Sequence, residues 1–293
     1  MQELFVNASK ATAARLARTG GLLIGLAAAG CGNEVAVDEG PPYVPGKSGG
    51  RADIPPGMAD ACPHLAEDPM VCVTMNNDSL VAFSVTSGQH CNLMPHGHYE
   101  DLQTTLGAQG SAIYLCGRDG MVRADLDTQA RDVATWGCST VTSYWDKLLF
   151  IGYKAPAQQA IWVYPVTADL SAFQPELSVE VDFVPNGIYA TGGDVLYVTT
   201  NNPYPYEIDV GVVSAYELPS AELLRSFRLE GLEGFVRGFF VQEPEGALLV
   251  LTSESVNTRD YRLIAFDTLT GEQHSAVALS LPGFVGGLHC WGR

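Results

Sequence analysis

The feature that most restricts what this chain can fold into is internal repetition. One strand-like segment occurs five times: Leu80–Gly88 (LVAFSVTSG), Val122–Thr128 (VRADLDT), Ile161–Thr167 (IWVYPVT), Val213–Ser220 (VSAYELPS) and Leu263–Gly271 (LIAFDTLTG). Each is rich in β-branched and aromatic residues and ends in a polar turn. A shorter apolar strand precedes each, at Val71–Met75, Ile113–Cys116, Leu148–Ile151, Val195–Val198 and Leu248–Leu251. Equivalent positions fall at Ala82, Ala124, Val163, Ala215 and Ala265, in steps of 42, 39, 52 and 50 residues. A period of that size holds one small unit that must stack on its neighbours to bury its faces.

The remaining strands complete each unit. Outer strands are expected at Gln89–Met94, Arg131–Trp136, Glu176–Val181, Leu223–Leu229 and His274–Leu281. Inner strands are expected at Leu102–Leu106, Thr140–Tyr144, Gly187–Thr191 and Gly234–Val241. The first unit lacks an inner strand, and the chain ends in Gly283–Trp291, which echoes Gly234–Val241. The pattern predicts an all-β fold: a five-bladed β-propeller of four-stranded blades, closed by the C-terminal strand joining the first blade. Such closure removes the open edges of a linear array. Six blades, with residues 40–68 in the sixth, and a β-sandwich are the alternatives that the repeat disfavours.

The first thirty residues read as an export signal. Lys10, Arg15 and Arg18 precede the apolar run Leu22–Ala29, which is too short to span a bilayer and ends in small residues. Ala28-Ala29-Gly30-Cys31 resembles the lipobox of bacterial lipoproteins. That resemblance implies cleavage before Cys31, acylation of its sulfur and anchoring of the chain by lipid. Gly32, where an Asp retains some lipoproteins at the inner membrane, favours the outer membrane. The expected organisation is a signal peptide over 1–30, a Pro/Gly-rich tether over 31–60 and the propeller over 61–293.

Removing residues 1–30, whose charged residues are Lys10, Arg15, Arg18 and Glu3, takes the formal net charge from −17 to −19. A body this acidic repels a nucleic-acid backbone, so nucleic acid is excluded as a partner. Removing Cys31 from the seven cysteines leaves Cys62, Cys72, Cys91, Cys116, Cys138 and Cys290. An even number suits the disulfides of an oxidising compartment. Strand placement favours Cys72–Cys290 across the closure and Cys116–Cys138 between the second and third units, leaving Cys62 and Cys91.

Ala265-Phe266-Asp267-Thr268-Leu269-Thr270-Gly271 resembles the Ala-x-Asp-x-x-Thr-Gly signature of quinoprotein-like (PQQ-type) propeller repeats, and Leu80–Gln89 is a weaker copy. The resemblance implies the fold. It does not extend to the cofactor, because the Trp that docks neighbouring blades in that family is replaced by Ser275 and Asn92. No cofactor is implied.

The tight turns and the longer loops are expected on opposite faces. Lys154–Ala160, Thr200–Gly211, Ser253–Tyr261, Met94–Asp101, Val181–Asn186 and Glu230–Gly234 are the longer segments, and binding is expected among them. Within Asn201–Asp209, Tyr204 and Tyr206 are stiffened by Pro203 and Pro205, and Glu207 and Asp209 follow. These four are the candidate binding residues for a sugar or peptide. His96 and His98, near Glu100 and Asp101, are a candidate Cu or Zn pair, weighed against a polar loop beside a disulfide at Cys91. Asn76-Asn77-Asp78 reads as a hairpin turn, His289 as structural, and Asp125 with Asp127 as strand and turn rather than acid/base chemistry. No catalytic motif is present. The expected function is a non-catalytic binding platform for a protein, peptide or glycan in the bacterial cell envelope. The alternatives are a metal-assisted hydrolase or lyase and, after it, a quinone-dependent dehydrogenase.

Overall fold

Alternating apolar strands separated by Asp/Ser/Thr/Gly turns fold as hairpins, and here they fold as five of them in series with an added outer strand. The computed structural model describes residues 54–292 apart from 77–78, 96–105, 118–119, 135–139, 156–157, 166–176, 182–187, 200–210, 243–245, 256–258 and 284. Blade 1 contains β1 (Met70–Asn76), β2 (Ser79–Ser84) and β3 (His90–Pro95). Blade 2 is β4 (Gly107–Gln109), β5 (Ala112–Gly117), β6 (Gly120–Asp125) and β7 (Arg131–Ala134). Blade 3 is β8 (Thr140–Tyr144), β9 (Lys147–Ala155), β10 (Gln158–Pro165) and β11 (Leu177–Val181). Blade 4 is β12 (Ile188–Gly192), β13 (Val195–Thr199), β14 (Val212–Glu217) and β15 (Leu223–Arg228). Blade 5 is β16 (Phe235–Gln242), β17 (Ala247–Ser253), β18 (Asp260–Asp267) and β19 (Gln273–Ser280). The last strand, β20 (Val285–Gly292), pairs antiparallel with β1 and supplies the inner strand of blade 1. The protein is a five-bladed β-propeller, closed as the repeat predicts.

Burial follows strand position. The second strands β1 and β17 are buried along nearly their whole length, because both their faces meet neighbouring blades. The outer strands β15 and β19 are largely exposed. Apolar clusters fill each junction between blades. Val71 and Ile113 belong to the cluster between blades 1 and 2, and Tyr114 and Phe150 to that between blades 2 and 3. Leu149 with Leu196, Val213 with Ile264, and Leu251 with Leu288 serve the other three junctions.

Two expectations meet the described strands differently. The inner strand of blade 2 is described at Gly107–Gln109; of the expected Leu102–Leu106, residues 102–105 lie outside the described residues and Leu106 just precedes the strand. Its register is fixed by the two-residue turn Gly110-Ser111, which pairs Gln109 with Ala112, and Gly110 takes φ +57°. Gly107 is needed there because a Cβ would stand 2.9 Å from Leu148 Cδ2 and 3.1 Å from Val141 Cγ2. Lys154–Ala160 is mostly strand rather than loop, since Gln158 pairs with Ala155 and Gln159 with Tyr153.

The repeat signature has a physical meaning at the turn from third to outer strand. Asp267 Oδ1 accepts the backbone N–H groups of Leu269 and Thr270, and Thr270 Oγ1 accepts that of Glu272. Ser84 and Ser87 make the equivalent bonds to Thr86, Ser87 and Gln89, and Asp125 and Thr128 make them to Asp127, Thr128 and Ala130. The next residue is left-handed in the four described copies: Gly88 (φ +70°), Gln129 (φ +56°), Ala221 (φ +58°) and Gly271 (φ +77°). The turn is therefore set by side-chain oxygens acting on backbone donors. Donation from Thr128 is the largest reason the Asp125 carboxyl sits below its ordinary range. Thr270 and then Leu269 do the same for Asp267. Turn chemistry is thus the role of Asp125, as its place in the strand implies.

The ring closes with covalent support. Cys72 and Cys290 face one another in the β1–β20 register and are disulfide-bonded across 218 residues of chain. Cys62 is bonded to Cys91. Cys116 is also disulfide-bonded, and its partner is outside the described residues, as Cys138 is. The helix α1 (Pro56–Ala61) and the turn Pro63–Leu65 bring Ile54, Met58, Cys62 and Leu65 into the core between blades 1 and 2. Gly57 N–H donates to Asp127 Oδ1 at 2.6 Å, and a Cβ on Gly57 would collide with the Leu126 carbonyl.

Replacing both Cys72 and Cys290 with Ala should lower unfolding free energy by about 2–4 kcal/mol in urea melts, because the unfolded chain loses a very large closed loop. Gly88 and Gly271 should separate backbone strain from crowding. A Cβ on Gly88 meets nothing within 4 Å, whereas one on Gly271 runs into the Arg228 carbonyl. Gly88→Ala should cost about 1 kcal/mol and Gly271→Ala about 3 kcal/mol or more, read from the same melts.

Candidate functional site

The inner strands present backbone edges toward the ring's centre, and hydroxyl side chains cover part of them. Ser143 Oγ accepts Ala108 N–H at 2.8 Å and donates to Ala108 O at 3.0 Å, joining β8 to β4. Thr191 Oγ1 donates to Ser143 O, joining β12 to β8. Between β16 and β20 the backbones approach closely, and a Cβ on Gly238 would stand 2.6 Å from Leu288 Cβ. These short links pull the inner strands together and position their turns side by side on the tight-turn face.

On that face the turn of blade 3 carries an aromatic residue where a hairpin usually places Gly or Asn. Tyr144 pairs with Lys147, so Trp145-Asp146 is a two-residue turn, and Trp145 takes φ +53°. Four hydrogen bonds hold this conformation. Gln109 Nε2, from blade 2, donates to Trp145 O at 2.7 Å and to Lys147 O at 2.8 Å. Trp145 Nε1 donates to Asp194 Oδ1, on the blade 4 turn, at 2.9 Å, and the Tyr144 hydroxyl donates to the same oxygen at 3.1 Å. The result is an indole that stays 43% exposed although both its backbone and its ring edge are tied. A left-handed Trp of this kind persists only where its surroundings over-determine it. Burial first, and then the Asp194 carboxylate, push Tyr144 up to about 12.

Higher on the inner wall, His289 lies edge-on to Phe240 and Trp291, with ring centroids 4.9 Å and 4.6 Å away. Its buried Nδ1 has no hydrogen-bond partner among the described residues. Burial pulls its pKa down to about 3, so the ring is neutral at ordinary pH and packs as a third aromatic. On the opposite face, Arg237 occupies the irregularity in β16 and is buried. Its Nε donates to Ser253 Oγ at 2.8 Å, and its guanidinium lies 5.5 Å over the Phe235 ring. The sequence signal for Arg237 is a charge inside an apolar strand. That for Trp145 is an aromatic residue at a turn position.

Tyr204, Tyr206, Glu207, Asp209, His96 and His98 lie outside the described residues, as do Cys31, Asn77 and Asp78. Among the described residues no group of three His, Cys, Asp or Glu side chains is placed to hold a metal ion.

No protein-family model matches this chain, and no curated protein does. Among solved structures it is similar to TolB from Acinetobacter baumannii, at 9% identity and TM-score 0.46, over 77% of this chain and 55% of that one. The chain thus spans about half the length of TolB. It is also similar to a protein of unknown function from Bacteroides caccae, at 11% identity and TM-score 0.48, over 77% of this chain and 100% of that one.

The Tyr144–Asp194 contact has a titration signature. Because the folded pKa is raised, this group stabilises the fold below its ordinary pKa of 10.0, and that contribution is lost as pH rises toward about 12. The tyrosinate absorbance of wild type minus Tyr144→Phe should give a component near 12, moving down in Asp194→Asn.

Proposed function

We propose that the protein is a lipoprotein of the bacterial cell envelope whose propeller is a non-catalytic binding platform for a protein, peptide or glycan. The observation that carries the binding reading is Trp145, an aromatic residue kept at the surface by contacts from two neighbouring blades. A side chain needed only for packing would not be held outward by strained backbone and two neighbouring blades. The envelope reading rests on the export signal, the lipobox-like Ala28–Cys31 and the cysteine bonds. In this reading Cys31 carries the acyl chains, the outer membrane is the destination, and the Pro/Gly-rich stretch leads from the anchor to the propeller, whose core takes in Ile54 and Met58. Among the described residues no helix is long and apolar enough to cross a membrane.

Tyr204, Tyr206, Glu207 and Asp209 are proposed as a second contact region, on the longer-loop face. The metal-assisted alternative would rest on His96 and His98.

In a bacterial host fed a labelled fatty acid, the full chain should incorporate label and sediment with membranes. Cys31→Ser should do neither. The purified protein should turn over none of a panel of lactones, sugars and alcohols. Turnover of any of them would overturn the non-catalytic reading, and labelling of Cys31→Ser would overturn the lipid assignment.

A further inference from the structure

Resting on the binding-platform reading, we propose that Trp145 and Asp194 form a subsite for a lysine or arginine side chain of a basic polypeptide segment. Three observations meet at this place. The first is the exposed indole, and Trp offers a cation the strongest ring face of any side chain. The second is the carboxylate fixed at its edge. Asp194 Oδ1 already accepts from Tyr144 and Trp145, while Oδ2 accepts no hydrogen bond from the described residues, and the residue is exposed. A cation over the indole therefore finds an anchored carboxylate oxygen beside it, and Asp146, next in the turn, is exposed as well.

The third observation is the field. The chain holds 33 Asp and Glu against 16 Lys and Arg, so it draws basic ligands in and turns acidic ones away. The subsite also continues outward. Asp194 O accepts Leu218 N–H at 2.7 Å, which ties it to the turn between β14 and β15. That turn carries exposed Glu217 and Glu222, followed by Leu223 and Leu224 at 58% and 48% exposure. A basic segment with a few apolar residues matches this strip in charge and in hydrophobicity. A neutral glycan would use the indole but leave the charge of the strip unanswered.

The test is titration of the full chain with hexalysine, hexaglutamate and a neutral hexasaccharide, followed by calorimetry at two salt concentrations. Hexalysine should bind, more weakly at higher salt. Trp145→Ala and Asp194→Asn should each weaken it about five- to ten-fold in variants that still unfold cooperatively, whereas Trp145→Phe keeps most of the affinity. Glu272→Gln, on the blade 5 turn, should change it less than two-fold. If Trp145→Ala fails to fold, the isosteric Asp194→Asn decides alone. Hexalysine binding indifferent to both substitutions would overturn the subsite and leave a binding platform elsewhere. Binding of the hexasaccharide in place of hexalysine would also overturn it, with the platform retained as a glycan binder. If none of the three ligands binds, this subsite and the platform reading of Trp145 fall together.

Discussion

Ring closure by the last strand is the interaction on which the rest of the structure depends. β20 runs beside β1, and Cys72 and Cys290 lock the pair. Without β20 the first blade would have three strands and a bare backbone edge, and the core that joins Leu251 and Leu288 would face solvent. The apolar clusters lie between blades rather than within them, so no blade buries its second and third strands until both neighbours are present. Helix α1 reinforces the junction between blades 1 and 2, where Met58 is fully buried.

Once the ring is closed, the two faces differ for a local reason. The third strands of blades 1, 2 and 5 end in a side-chain oxygen that captures backbone N–H groups, and the residue after Asp267, Thr268, donates to Gly246 O in the neighbouring turn. Leu126 and Leu218 make the same kind of bond to Ser111 and Asp194. One face thus becomes a network of short turns bonded to one another. Turns so firmly fixed can hold a large ring outward, and Trp145 uses that rigidity. The neutral His289, packed edge-on between Phe240 and Trp291, shows the opposite use of a polar residue, as packing in the wall.

Much of the fold was legible because strand period and turn chemistry are local. Val213–Ser220 and Leu263–Gly271 announce a strand and its turn by residue type alone, and Gly283–Trp291 announces the closure by likeness to Gly234–Val241. Errors arose where local pattern was ambiguous. Lys154–Ala160 reads as a loop because of its polar residues, yet Gln159 pairs with Tyr153 and extends the hairpin. Trp145 was illegible as a site because its meaning depends on Gln109 and Asp194, 36 and 49 residues away in sequence.

The sequence by itself determined the number of blades, the turn that ends each third strand, the acidity of the body and the cysteines available for crosslinking. These follow from composition and from interactions within a few residues. Only the tertiary structure decided that Ser143 and Thr191 bind the edges of neighbouring inner strands, and that Tyr144, Trp145 and Asp194 converge. Each of those joins residues from different blades, and their distance is set by how the ring closes, which no local pattern contains.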